Sequence, residues 1–137
     1  MVGLLMRLFS FAFHLLLGAV MLAVGFIAWV SNQHTLQIAL LPLNGPALTY
    51  LLMGLGLTGI VITLLAARKI VPVLFVLWSL AVLVMLARGY FFSSYNFGQS
   101  GVSTALYFTA AALIAFIGSA LQARAKRGAA RRKPVLA

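Results

Sequence analysis

The sequence contains no aspartate and no glutamate, and this absence excludes more chemistry than any residue that is present. Carboxylates are the usual proton carriers, cation ligands and general acids or bases of sites inside membranes. A proton-coupled exporter, a calcium or magnesium site and a carboxylate-based hydrolase would each need a group that this chain does not supply. Either the chain has no need of acids, as in many small membrane proteins, or a partner protein supplies them.

Cysteine is also absent, which excludes disulfides, thiolate metal sites and thiol nucleophiles. The two histidines, His14 and His34, stand in the first apolar run and in the loop after it. A mostly helical connection separates them by most of the bilayer, too far apart to share one metal or haem. We therefore expect no cofactor, no metal site and no enzymatic activity.

Polar surface is scarce, since 64% of the 137 residues are hydrophobic and only 7% are charged. A soluble domain of this size would need far more polar surface. Four apolar runs are long enough to cross a bilayer, which predicts an all-α membrane protein, a four-transmembrane-helix bundle filling residues 1–122. The predicted spans are 8–30, 46–67, 71–87 and 102–122, and the basic tail 123–137 is expected to be disordered in water, or weakly helical against anionic lipid.

The ten Lys and Arg residues stand almost entirely at the ends of the spans, a pattern typical of cytoplasmic loops rather than of nucleic-acid binding. Nine of them belong to the N-terminus, the connection between spans two and three, and the tail. Only Arg88 belongs to the loops at the opposite ends of the spans. This predicts that both termini are cytoplasmic and, in a bacterium, that the protein lies in the inner membrane. The residues expected to meet anionic inner-leaflet headgroups are Arg68, Lys69, Arg124, Lys126, Arg127, Arg131, Arg132 and Lys133.

One stripe of the first span differs from its Leu/Phe/Val/Ile surroundings. At helical spacing its members fall within about 80° of one another, and they are Arg7, Ser10, His14, Gly18, Met21, Gly25 and Ala28. Ser10 and His14 form the candidate polar site inside the membrane. An ionisable residue at this depth suggests function; the alternative is a neutral histidine that is hydrogen-bonded to a Ser, a Thr or a backbone carbonyl of a neighbouring helix.

Small residues form further stripes that predict close helix packing, because backbones approach each other in lipid only where side chains are small. The predicted packing residues are Gly18, Gly25, Gly56, Gly59, Ala115 and Gly118. Gly54 and Thr58 make a second small face on the second span, which predicts that this helix packs on two sides.

Two functional hypotheses fit this sequence. The first is a structural or accessory component of a larger membrane assembly, without catalytic machinery, which meets its partner through span three or the aromatic residues 90–97. The alternative is a small-solute transporter or channel, acting as a bundle or homo-oligomer, in which His14 and the hydroxyl groups line a polar route.

Overall fold

The computed structural model describes residues 1–32, 43–92 and 99–131. These residues form four α-helices, α1 (Val2–Val30), α2 (Pro46–Ala67), α3 (Pro72–Phe91) and α4 (Gln99–Arg131). All four are long and apolar enough to cross a membrane, so the predicted four-helix, all-α architecture is confirmed for the described part of the chain. His34, most of the aromatic loop and the last six residues lie outside it.

Local sequence sets the start and end of the central helices. Pro46 and Pro72 occupy the first turns of α2 and α3, where the missing N–H costs nothing and the fixed φ suits a helix. At the end of α2 the N–H groups of Lys69 and Ile70 donate to the carbonyls of Ala66 and Leu65 at 2.9 and 3.1 Å. This is a Schellman motif, and Lys69 takes its left-handed position with φ 60°, where glycine is the common residue.

The helices extend beyond the predicted spans. α1 begins at Val2 rather than at residue 8, and α4 continues through the basic residues 123–131 to Arg131. Hydropathy ends at the bilayer boundary, but the alanines, arginines and lysine that follow are strong helix formers. At 1.5 Å per residue, α4 is about 50 Å long and projects well past a hydrocarbon core of about 30 Å.

The helices run antiparallel to their sequence neighbours around a ring. α1 contacts α2 most extensively, α4 packs on both α1 and α3, and α2 and α3 contact each other least although only a short turn joins them. The seam between α2 and α3 is therefore the most open side of the bundle.

Glycine permits the tight α1–α2 contact. A Cβ added at Gly56 would lie 2.7 Å from the backbone nitrogen of Leu22 and 2.8 Å from the carbonyl oxygen of Gly18. A Cβ added at Gly18 would lie 3.1 Å from the carbonyl oxygen of Gly56. A Cβ added at Gly25 would lie 3.2 Å from the carbonyl oxygen of Thr49. These backbones touch over about two helical turns.

The α1–α4 contact is closer still at one point, because a Cβ at Gly118 would overlap the carbonyl oxygen of Met6. Ala115, one turn earlier on α4, is completely buried. Gly59 instead faces α3, where a Cβ would lie 2.9 Å from the Trp78 ring. The six predicted packing residues thus lie at three different helix interfaces.

The second small face of α2 is left uncovered by the residues that the structure describes. Gly54 is exposed, and a Cβ added there would meet no atom within 4 Å; Thr58 is also exposed. The prediction that α2 packs on two opposite sides does not hold inside the bundle, because α1 and α3 both lie against its other face.

Candidate functional site

Polar side chains are buried in the half of the bundle next to the α2–α3 turn. Ser10 and His14 lie on α1, Thr63 on α2 and Ser79 on α3, each no more than 2% exposed. Ser119 and Gln122 complete the group from α4, at 0% and 9% exposed. All four helices therefore contribute to one polar layer.

Ser10 joins α1 to α4. Its Oγ donates to the carbonyl oxygen of Ala115 at 2.7 Å, at the level where Gly118 brings the two backbones together. The Nδ1 atom of His14 lies 2.8 Å from the carbonyl oxygen of Ser10. Since a carbonyl oxygen only accepts, Nδ1 carries the proton, and Nε2 of the neutral ring is then an acceptor.

The His14 ring is enclosed by aromatic side chains rather than by polar ones. Its centroid lies 5.4 Å from that of Phe13 and 5.1 Å from that of Phe75, both edge to face. Phe75 in turn stacks on Phe11 at 5.4 Å. Among the described residues, Nε2 is buried without a hydrogen-bond partner, so His14 is fixed through one nitrogen only.

Ser79 and Ser119 form the hydrogen bond that joins α3 to α4. Their hydroxyl oxygens are 2.7 Å apart, and each also lies within hydrogen-bond distance of a carbonyl in its own helix, that of Val76 or Phe116. Thr63 Oγ1 likewise donates to the carbonyl of Gly59 at 2.7 Å. These hydroxyls bind the backbone and one another instead of facing a shared cavity.

Gln122 and Lys126, one turn apart on α4, bind the carboxyl end of α2. Gln122 Nε2 donates to the carbonyl of Ala66 at 2.6 Å, and Lys126 Nζ donates to the carbonyl of Lys69 at 2.9 Å. Cationic and donor groups are favourable at a helix C-terminus, where carbonyls lack partners. The extension of α4 beyond the predicted span makes the second of these contacts possible.

The residues predicted to meet lipid headgroups lie together at this end of the bundle. All six that the structure describes are exposed: Arg68, Lys69, Arg124, Lys126, Arg127 and Arg131. Arg132 and Lys133 lie outside the described residues. Arg7, predicted on the packing stripe of α1, is at the same end, where it lines a pocket with Lys69, Gln122 and Lys126.

A second cavity follows the loose α2–α3 seam. It has a volume of about 270 Å³ and apolar walls. Its lining residues come from all four helices and include Met21, Leu52, Trp78, Met85 and Phe108. Sequence reasoning missed it, because the pattern of one helix does not tell how far apart two neighbours stand. Its chemistry suits an apolar group such as an acyl chain.

The arrangement offers little for covalent chemistry. In residues 1–32, 43–92 and 99–131, no group of three or more His, Cys, Asp or Glu residues could hold a metal. His14 has no carboxylate to orient it and contacts aromatic rings rather than a nucleophile. No protein-family model, curated protein or solved structure matches the chain.

Replacement of His14 tests whether the role of this histidine is structural. We expect His14→Leu to change the free energy of unfolding by no more than about 1 kcal/mol, because the lost hydrogen bond and the relieved burial of Nε2 nearly cancel. Unfolding by sodium dodecyl sulfate in mixed micelles measures this difference. A loss above about 2 kcal/mol would mean that Nε2 is hydrogen-bonded in the membrane-embedded protein.

Proposed function

We propose that this chain is a non-catalytic, multi-pass membrane protein that acts as a structural or accessory component of a larger membrane assembly. The observation that carries the proposal is the exposed small-residue face of α2 at Gly54 and Thr58. Other glycines in the membrane-spanning parts of the chain, among them Gly18, Gly56 and Gly118, admit a neighbouring helix closely. A face of the same kind, left open to lipid, suits a helix from another polypeptide.

The interior of the bundle supports this role over transport. The buried hydroxyls bind backbone carbonyls or each other, and α1 touches both α2 and α4 backbone to backbone at the glycines. Transport remains the alternative, with His14 on the route. The transport hypothesis predicts that His14→Leu abolishes substrate movement in proteoliposomes. The accessory role predicts that the variant behaves like the unmodified chain.

The proposed topology has both termini and the α2–α3 turn in the cytoplasm, which in a bacterium means the inner membrane. Its support is the basic end of the bundle, because Arg68, Lys69 and the basic residues of α4 come together there. Lys and Arg accumulate on the cytoplasmic side and attract anionic inner-leaflet lipids. Labelling of single cysteines, introduced at residue 2 and residue 96 of this cysteine-free chain, tests the orientation.

Gentle detergent extraction followed by mass spectrometry tests the assembly. We expect the chain to elute with a partner, and Gly54→Leu to lose that partner while the chain itself still folds, because Gly54 is exposed and a Cβ added there meets no atom of its own bundle within 4 Å. Gly128→Leu is the matched control, since Gly128 is also free of neighbours within that distance but stands in the projecting part of α4.

The identity of the partner decides between two forms of the proposal. A different membrane protein in stoichiometric amount identifies a hetero-assembly, and a second copy of the chain identifies a homo-oligomer. A stable monomer after mild extraction, or equal partner loss in the Gly54 and Gly128 variants, would contradict the proposed role.

A further inference from the structure

The basic end of the bundle contains a pocket whose charge the chain itself leaves unbalanced. Arg7 of α1, Lys69 of the α2–α3 turn and Lys126 of α4 line it together with Gln122 and Pro72. The sequence has no acidic side chain, so no side-chain carboxylate of the chain can pair with these three cations. Arg7 is half-buried, and Lys69 and Lys126 are exposed. Like charges that are brought together repel each other, so an anion bound among them lowers the electrostatic energy.

Two buried polar atoms mark the same pocket. The Nε atom of Arg7 is buried without a hydrogen-bond partner among the described residues, and so is Oε1 of Gln122. Both residues line the pocket, and Gln122 is held there by its bond to the Ala66 carbonyl. A buried guanidinium N–H without an acceptor is costly, so an oxygen-bearing ligand in the pocket would satisfy it.

The fold adds positive potential from the backbone. Pro72, which lines the pocket, is the first residue of α3, and its N-cap residue Val71 has no side-chain hydrogen-bonding group. The positive dipole end of this 20-residue helix attracts anions. The pocket volume of about 170 Å³ far exceeds the ~10–15 Å³ needed by one water, so a tetrahedral oxyanion fits.

We propose that this pocket is a phosphate-binding site formed by Arg7, Lys69 and Lys126, which takes the phosphate group of an anionic lipid or a free phosphate. The ammonium and guanidinium groups donate to phosphate oxygens in charge-assisted hydrogen bonds. Gln122 Oε1 accepts from a hydroxyl, such as that of a protonated phosphate or a glycerol headgroup. The site differs from the general attraction of exposed basic residues to the membrane because it binds one ligand in one place.

The inference is independent of the proposed accessory role, since it concerns a ligand of the chain alone. The purified full-length chain in nonionic detergent is titrated with phosphatidylglycerol, with phosphatidylcholine and with sodium phosphate at constant ionic strength. Native mass spectrometry counts the bound molecules, and the melting temperature follows binding. We expect one saturable phosphatidylglycerol per chain, with phosphatidylcholine weaker by about tenfold or more.

Charge-matched pairs of variants locate the site. Arg7→Gln and Lys69→Gly each remove a lining charge and are expected to weaken binding about tenfold or more. The controls Arg68→Gln and Arg131→Gln remove exposed charges that do not line the pocket, and they are expected to change affinity less than about twofold.

Lys69→Gly also separates folding from binding. Lys69 has φ 60°, which glycine adopts without cost, so the melting temperature without ligand should stay equal or rise while binding is lost. Lys69→Gln takes its place if the glycine variant cannot be purified. Binding of phosphatidylglycerol alone identifies a lipid site, and competition by inorganic phosphate identifies a free oxyanion site; both support a phosphate pocket.

Two results would overturn the proposal. The first is the absence of saturable binding by both phosphatidylglycerol and inorganic phosphate. The second is an equal loss of affinity in the pocket variants and in the Arg68 and Arg131 controls, because the lipid would then respond to total charge and not to a built site.

Discussion

Gly56→Ala is expected to lower the free energy of unfolding by about 1–3 kcal/mol, although alanine is the better helix former. The added methyl group would lie 2.7 Å from the Leu22 nitrogen and 2.8 Å from the Gly18 carbonyl oxygen. Both atoms belong to the α1 backbone, so no rotation of a side chain relieves the overlap and the helices must separate. Overpacking of this kind costs about 1–3 kcal/mol. The higher helix propensity of alanine relative to glycine offsets at most about 1 kcal/mol of this loss.

Gly54→Ala on the same helix is the matched control. Here the methyl group meets no atom within 4 Å, so only the helical preference changes and the chain should be unaffected or stabilised by up to about 1 kcal/mol. Detergent unfolding of the purified chain, followed by the fluorescence of its two tryptophans, compares the variants. Equal effects at the two positions would mean that the α1–α2 backbone contact does not exist in solution.

The close packing of α1 could be predicted because it depends on one helix at a time. Ser10, His14, Gly18, Gly25 and Ala28 share a stripe in the sequence, and all five are buried. Where polarity and side-chain size change together around a helix, the position of the packing face follows from the spacing alone.

The behaviour of α2 and α4 could not be predicted in the same way. Gly54 and Gly56 stand two residues apart and point to different sides, but the sequence does not state which side the chain itself covers. The length of α4 was underestimated because the prediction followed hydropathy, and the helix continues through charged residues to Arg131. Beyond the predicted span, α4 makes a tertiary contact through Lys126, which donates to the Lys69 carbonyl.

The candidate polar site was predicted only in part for a related reason. His14 and Ser10 stand out within one apolar run, but the partners of Ser10 and of Gln122 are carbonyls 105 and 56 residues away. Backbone carbonyls carry no residue-specific signal in a sequence. The pocket of Arg7, Lys69 and Lys126 likewise exists only because three helix ends meet.

The contacts divide the bundle into a tight side and a looser one. Glycine brings the backbones of α1, α2 and α4 together, whereas α3 is held by large side chains and by the Ser79–Ser119 hydrogen bond. Phe75 is the main apolar contact of α3 at the basic end, in a cluster with Ile62 and Ala66 of α2. The attachment of α3 should therefore depend on this one ring more than on any glycine.

Phe75→Ala is accordingly expected to cost about 3 kcal/mol of unfolding free energy, near the lower end of the range for buried aromatic truncation. Phe75 is 0% exposed and contacts the rings of Phe11 and His14, so truncation leaves a cavity that its neighbours cannot fill. We expect a value at the lower end of this range because lipid is as apolar as the protein core. The free energy lost on truncation therefore comes mainly from lost packing contacts.

Phe26→Ala provides the control for this truncation, since Phe26 is 52% exposed on α1 and acyl chains can occupy the space it vacates. We expect a change below about 1 kcal/mol there. Phe75→Leu should recover at least half of the stability lost in Phe75→Ala, because it refills most of the cavity. If Phe75→Ala and Phe26→Ala cost the same, α3 would be attached mainly by the serine pair, and Ser79→Ala would then be the variant that releases it.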